Sequence, residues 1–299
     1  MSVVIVNPAS ASGSTGDVWP QIASDLRSHF GSFRALFTRH PGDAAALANE
    51  AARKGAKLII ACGGDGTISE VANGILSSGK DVELGVLPSG TGGDFRRTLE
   101  IPSQTRAAAK VLRTGRTVRI DVGRVSFLDH NGAEAMHYFV GVASCGMSTD
   151  VIQRVKDRRI SFATSMLQTA VRMKPVQLVV QIDDAHERRL VVTNLCVANA
   201  RYFGGGMKIA PDAKLTDGKF DIVGIGDLST LKLLTSAPRV YLGSHLSMPE
   251  VSHALARKIT IRAADRAATV ALEVDGELPG KLPATFQIIP EALRVRVSG

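Results

Sequence analysis

The chain is predicted to fold as an α/β part, a parallel sheet covered by helices, followed by a β-rich sandwich part. Two observations predict this. The first third alternates short apolar runs with helical periodicity, the grammar of a parallel sheet with crossover helices. From about residue 117 the pattern changes to short strands joined by turns. A length of 299 residues accommodates two ordinary domains. The expected boundaries are 1–117 for the α/β domain, 118–289 for the β-rich one, and a return of 290–299 to the first.

Along the first part, "SVVIV" reads as a buried strand and "DVWPQIASDLRSHF" as a helix. "FRALFT" is a second strand, and "DAAALANEAARK" a helix closed by Gly55. "KLIIAC" is a third strand. The helix after it is expected to begin at Thr67, with Glu70 completing a capping box and Ile68, Val71, Ala72, Ile75 and Leu76 on one face. "ELGVLP" is a fourth strand, and "SQTRAAAKVLR" a helix capped by Ser103. In the second part, "TVRIDVGRVSF", "HYFVGVAS", "VQLVVQI", "RLVVTNLCVANA", "FDIVGIG", "RKITIRA", "ATVALEVDG" and "TFQIIP" read as strands. Helical patterns there are confined to about 147–173 and 229–244.

Composition narrows the function. Hydrophobic residues make up 44%, normal for a globular chain, and the longest apolar runs are strand-sized, far below the roughly 20 residues of a membrane span. "MSVVIVNP" has neither the basic region nor the long apolar core of a secretory signal, so a cytoplasmic location is expected. Cys62, Cys145 and Cys196 are too scattered for a disulfide framework or a zinc site, and are expected to be buried thiols. A net charge of +8 favours anionic partners. With 5% aromatics and no interleaving of aromatic and basic residues, nucleic acid is not an expected partner.

"ACGGDGTISE" (61–70) follows a strand and opens a helix. Gly63, Gly64 and Gly66 let backbone approach an oxyanion, and the helix N-terminus adds N–H groups and the positive end of its dipole. The loop lacks the P-loop lysine and the GxGxxG spacing, and glycine and aspartate also suit a plain turn. A second turn, "LPSGTGGDF" (87–95), again follows a strand and again ends in an acid, Asp94. Loops at the carboxyl ends of neighbouring parallel strands line one crevice. Two such loops, each with one carboxylate, suit a magnesium nucleotide, with N–H groups on the phosphates and carboxylates on the cation. On this reading Asp65 faces Mg²⁺ or a hydroxyl.

These loops, with "VNPASASG" (6–13), "IDVG" (120–123), "NARYFGGGMKIAPDAKLTDGKFDI" (199–222) and "VDGE" (274–277), make the chain resemble the diacylglycerol kinase catalytic family of bacterial-type lipid kinases, related to sphingosine and ceramide kinases. The resemblance runs nearly end to end. It implies ATP-dependent phosphorylation of a lipid hydroxyl, diacylglycerol foremost, by an α/β nucleotide domain like that of NAD kinase and phosphofructokinase, followed by a β-rich lipid domain, with the active site between them. By position it implies a nucleotide shell of Asn7, Ser10, Thr38, Gly63, Gly64, Asp65, Gly66, Thr67, Ser69 and Thr91, and acids Asp65, Asp94 and Asp121 around the catalytic magnesium. It also implies a second magnesium at Asp217 with the main-chain carbonyls of Lys214 and Lys219, although "TDGK" equally suits an Asp-Gly turn. The chain departs from the family at Ser69 and Gly93, where asparagine is usual.

"LEVDGELPG" ends a strand in a turn flanked by Asp275 and Glu277, which reads as a hairpin with solvated acids or as the general base of the transfer. The resemblance favours the base, with Asp275 preferred for its place at the strand end and Glu277 as alternate or partner. A lipid kinase without a span must act peripherally at an anionic membrane face. Segment 151–174, with Arg154, Lys156, Arg158, Arg159, Arg172 and Lys174 beside Ile160, Phe162 and Met166, is the expected contact, or else a packed helix with a basic face. Homodimerisation is left open. Two rivals stand beside the lipid kinase: a soluble-substrate kinase of the NAD kinase or phosphofructokinase type sharing the GGDG loop, and a lipid-binding regulatory protein without catalysis.

Overall fold

The computed structural model describes residues 1–90, 92–146 and 175–299. Thr91, the helical pattern at 147–173 and the expected membrane segment 151–174 lie outside the described residues. The chain divides into two compact units, Met1–Val122 with Pro290–Gly299, and Gly123–Ile289.

Unit 1 alternates as its sequence pattern requires: β1 (Ser2–Val6), α1 (Ser14–His29), β2 (Arg34–Phe37), α2 (Asp43–Arg53), β3 (Leu58–Gly63), α3 (Asp65–Ser78), β4 (Glu83–Pro88), α4 (Asp94–Thr98) and α5 (Thr105–Thr114). The strands are parallel in the order β2, β1, β3, β4. β3 is buried along its whole length, as a central strand with helices on both faces must be. The last residues of β15 (Glu277–Val297) lie parallel to β4, with Arg294 opposite Glu83. The Glu83 carboxylate takes a bidentate bond from Arg296 (2.6 and 2.7 Å), fixing this final strand in place.

Two helix starts differ from expectation. α3 begins at Asp65, and among the described residues no side chain caps it. Glu70 instead reaches α2, where its oxygens accept from Gly42 N and Ala44 N, both at 3.0 Å. The Thr67–Glu70 pattern is therefore not a capping box, because the acid satisfies a neighbouring helix rather than its own. α5 begins at Thr105, so Gln104 and not Ser103 stands at its N-cap.

Unit 2 is antiparallel. β5 (Arg116–Asp129) crosses into it and forms a hairpin with β6 (Glu134–Phe139). β7 (Val142–Cys145), β8 (Val176–Ile182), β9 (Arg188–Val192), β10 (Asn194–Ala198), β11 (Phe220–Ile225), α6 (Thr230–Leu242), β12 (Val251–Ala256), β13 (Lys258–Ala263) and β14 (Ala271–Val274) follow. One set of strands runs β12, β11, β10, β7, β14, β15, and another runs β9, β8, β13, β15. β15 joins both, pairing Lys281 with Ala271 and then Phe286 with Ile259. Buried side chains from both sets form one core, in which Phe139 stacks on Phe220 (5.5 Å) and meets Phe286 edge-on (6.1 Å). The expected strand "HYFVGVAS" is two strands interrupted at Val140–Gly141, and β12 is an addition to the sequence reading. All three cysteines are buried thiols, and burial pushes Cys62 and Cys145 up to about 12.

Candidate active site

In unit 1 the two glycine turns meet. A Cβ on Gly90 would stand 2.8 Å from the Gly64 Cα, so only glycine allows the approach. Ser89 N donates to Gly63 O (3.0 Å), and the Thr15 and Ser89 hydroxyls lie 2.7 Å apart, tying the start of α1 to the second turn. Asn7 Nδ2 donates to Thr67 Oγ1 (3.0 Å), and Ser10 Oγ lies beside Gly63. Asn7, Ser10, Gly63 and Thr67 are thus one cluster. Thr38 follows β2 and donates its amide to Val6 O (2.9 Å), and Ser69 is buried in α3.

The first intrahelical bond of α3 is Ile68 N to Gly64 O (3.1 Å), so the amides of Asp65, Gly66 and Thr67 precede it at the positive end of a 14-residue helix. A Cβ on Gly64 or on Gly66 would meet nothing within 4 Å. Beside them lies an open cavity of about 110 Å³ lined by Gly63, Gly64, Ile68, Pro88, Gly90, Gly92, Gly93, Arg96, Arg97 and Ser103. Arg96 and Arg97 are additions to the sequence reading. Their signal was present, since a phosphate-site turn followed at once by two arginines places positive charge at its rim. Arg96 donates to Ile101 O (3.1 Å) and Arg97 to Asp94 Oδ1 (2.7 Å).

Asp65 is directed inward. Its Oδ2 accepts from Gly93 N (2.7 Å) and Asp94 N (3.0 Å), and its Oδ1 from Phe95 N (3.1 Å). An acid sits among glycines here because it caps α4 and fastens the second turn to the first. Asp94 is buried and paired with Arg97, and the buried Asp121 accepts from Glu291 N (2.9 Å). Among the described residues no three histidines, cysteines or acids gather as metal ligands. Asp217, in unit 2, takes the Lys219 amide on Oδ1 (3.1 Å), with Gly218 at φ +69°, the geometry of an Asp-Gly turn.

Unit 2 holds the second acid cluster. Val274 pairs with Glu277 across Asp275 (φ +49°) and Gly276 (φ +85°), a two-residue hairpin of the type that Asp-Gly favours. The Asp275 carboxylate accepts from Val140 N (3.1 Å) and Gly141 N (2.9 Å). Asn199 Nδ2 donates to Val140 O (3.1 Å), and the amides of Asn199 and Ala200 donate to Gly141 O. The break between β6 and β7 is thereby held on both sides. Glu277 is exposed, and its charge reaches His137, whose imidazole burial holds below its ordinary value. Glu273, two residues before Asp275, is buried. Burial pushes its carboxyl up to about 7, against hydrogen bonds from Ser144 and Gly276 and with help from the charges of Asp275 and Glu277.

A parallel α/β unit carrying paired glycine turns, followed by an antiparallel unit with an acidic hairpin, defines a two-unit kinase architecture. The family described as diacylglycerol kinase catalytic domain matches residues 1–125, and the YegS C-terminal NAD kinase beta sandwich-like domain matches residues 141–297. A diacylglycerol kinase of Mycobacterium tuberculosis (strain ATCC 25618 / H37Rv) is 32% identical over 262 residues, 85% of this chain and 81% of that one. One from Staphylococcus epidermidis (strain ATCC 12228) is 30% identical over 302 residues, 98% of this chain and 90% of that one. A structure of a diacylglycerol kinase from Bacillus anthracis str. Sterne superposes with a TM-score of 0.74 at 22% identity, covering 99% of this chain and 96% of that one, and so shares the fold. The chain belongs to the diacylglycerol kinase catalytic-domain family and is a kinase of the lipid-phosphorylating class.

Proposed function

We propose that this chain transfers the γ-phosphate of ATP to the free hydroxyl of diacylglycerol, yielding phosphatidic acid and ADP. The observation that supports the nucleotide site is the contact of two glycine turns beside a helix N-terminus that has no side-chain cap among the described residues. The names of the relatives support the acceptor.

Phosphate oxygens accept from the first amides of α3, and Arg96 and Arg97 add positive charge at the cavity rim. Asp65 keeps the two turns together. Asp65, Asp94 and Asp121 would hold magnesium, directly or through water, and the ion would neutralise phosphate charge in the transfer. The lipid oxygen attacks the γ-phosphorus, the bond to the β–γ bridging oxygen breaks, and the hydroxyl proton passes to a carboxylate of the 275–277 hairpin. The two amide bonds on Asp275 make it the anchor of that turn, so the exposed Glu277 takes the role of base. Among the described residues no helix is long and apolar enough to cross a membrane, and the +8 charge suits peripheral attachment to an anionic leaflet.

Gly64→Val tests the nucleotide site. The added side chain meets no protein atom at its Cβ position, so the fold is retained while phosphate approach is blocked. The ATP Kd is expected to rise at least about tenfold, about 1.4 kcal/mol, in titration calorimetry. An unchanged Kd in the folded variant removes this loop from the site.

A further inference from the structure

We propose that Glu273 is a positioning residue for lipid phosphorylation: its carboxylate fixes the Asp275–Gly276 turn, and its charge biases the protons of the acids that the turn presents. This role rests on the kinase reading of the hairpin. Glu273 lies on β14 opposite Ser144 of β7. The Ser144 hydroxyl donates to Oε2 at 2.7 Å, and the Gly276 amide donates to Oε1. One buried carboxylate thus spans the neighbouring strand and the second residue of the turn.

The groups facing it are few. From its own hairpin come Asp275 and Glu277, whose charges both oppose its ionisation, and from β7 come Ser144 and Cys145. Cys196 on β10 senses its charge, and His137 lies beyond Glu277. Apart from His137, which burial holds toward its neutral form, none of these groups carries positive charge. Three carboxyls thus lie within five residues, and Glu273 is electrostatically coupled to the other two. With burial and its two acidic neighbours opposing ionisation, Glu273 exchanges its proton near neutrality, about 7. Its ionised form adds a negative charge beside the acids of the turn, and its neutral form withdraws it.

The experiment is the pH profile of kcat with a short-chain diacylglycerol in mixed micelles, for wild type and Glu273→Gln. The amide keeps the shape and can still accept from Gly276 N. Loss of the charge is expected to remove the step of the profile near pH 7, with kcat above it reduced about three- to tenfold, kcat below it little changed and the KM for ATP unchanged. Ser144→Ala, which removes a donor to the carboxylate, is expected to move that step to higher pH. Should Glu273→Gln fail to fold, the Ser144→Ala profile decides. Superimposable profiles in active protein overturn the role. Absence of any lipid phosphorylation by wild type overturns the kinase reading, and this role with it. Carboxyl carbon-13 titration of the intact chain supplies a readout independent of turnover: a glutamate midpoint near 7 that falls in Asp275→Asn supports the coupled set, and a midpoint indifferent to Asp275 overturns it.

Discussion

Unit 1 and unit 2 each carry an Asp-Gly turn that matters, and the two turns are electrostatic opposites. In unit 1, Asp65 folds its charge onto three backbone amides of the second loop, while the amides at the start of α3 lie beside open space. The outcome is an acid in a surface that donates hydrogen bonds. In unit 2, Asp275 likewise accepts two backbone amides, but Glu273 and Glu277 flank it and the surface accumulates carboxyls. On the proposed reading, the same dipeptide serves an anion-binding turn in one unit and a proton-accepting turn in the other. What differs is the element that follows: a helix N-terminus supplies donors, whereas a hairpin supplies the next strand's acid.

The sharpest way to break that contrast is to remove the acid that unit 2 presents. Glu277→Gln is expected to lower kcat by about 10²–10⁴-fold, the usual contribution of a general base, with the KM for ATP nearly unchanged. Asp275→Asn turns an NH₂ toward one of the two amides it now accepts from, so it should lower both kcat and the melting temperature. If Asp275→Asn abolishes turnover without loss of stability while Glu277→Gln is active, the two roles are reversed.

The units should also respond to pH in opposite senses. Burial opposes ionisation of Glu83, but hydrogen bonds from Arg296 and Thr117 outweigh it and hold the carboxyl below its ordinary value. A depressed folded-state value contributes stability above the unfolded-state range that is lost as pH falls through it. Glu273 is raised to about 7, so the stability tied to its neutral form is full at low pH and lost as pH rises toward and through that value. Glu83→Gln is expected to cost unit 1 about 2–3 kcal/mol at pH 7, less than the roughly 3–5 of a fully buried pair because Arg296 is partly exposed, and much less near pH 3. Glu273→Gln is expected to stabilise unit 2 at pH 8 and to change little at pH 5. Trp19, the single tryptophan, reports unit 1 by fluorescence, and hydrogen exchange of β7 and β14 reports unit 2. Parallel pH trends in both units would dissolve the contrast.

The smallest expected effect is steric. A Cβ on Gly141 would lie 2.7 Å from Asp275 Oδ1. Gly141→Ala should therefore displace the anchor and reduce kcat about tenfold, about 1.4 kcal/mol, with ATP affinity kept. A kcat equal to wild type would show that the turn tolerates loss of its clamp.

Much of the fold was legible because burial patterns are local. "LIIAC" must be a central strand wherever it sits, and the five apolar positions after Thr67 must share one helix face. β12, "VSHALA", was not legible, because its polar and small residues weaken the period-two signal and its pairing with β11 defines it. The break at Val140–Gly141 escaped for a related reason: an apolar residue and a glycine continue a strand pattern until a distant carboxylate bends them out of it.

The sequence by itself determined the alternation of β1 to β4 with their helices, the placement of glycine turns after β3 and β4, and the identity of every acid in the two turns. Tertiary structure decided what each acid does. Glu70 looked like the cap of its own helix and serves another, 26–28 residues away. Asp65, expected as a cation ligand, holds in addition amides 28–30 residues on. Asp275 holds amides 134 and 135 residues back, while Glu273, outside the expected site, is buried in the same hairpin. A side chain's preference for burial is a property of the residue and repeats with the period of its element. The partner of a carboxylate is set by whichever donors the completed fold leaves within about 3 Å, and no local pattern encodes that distance.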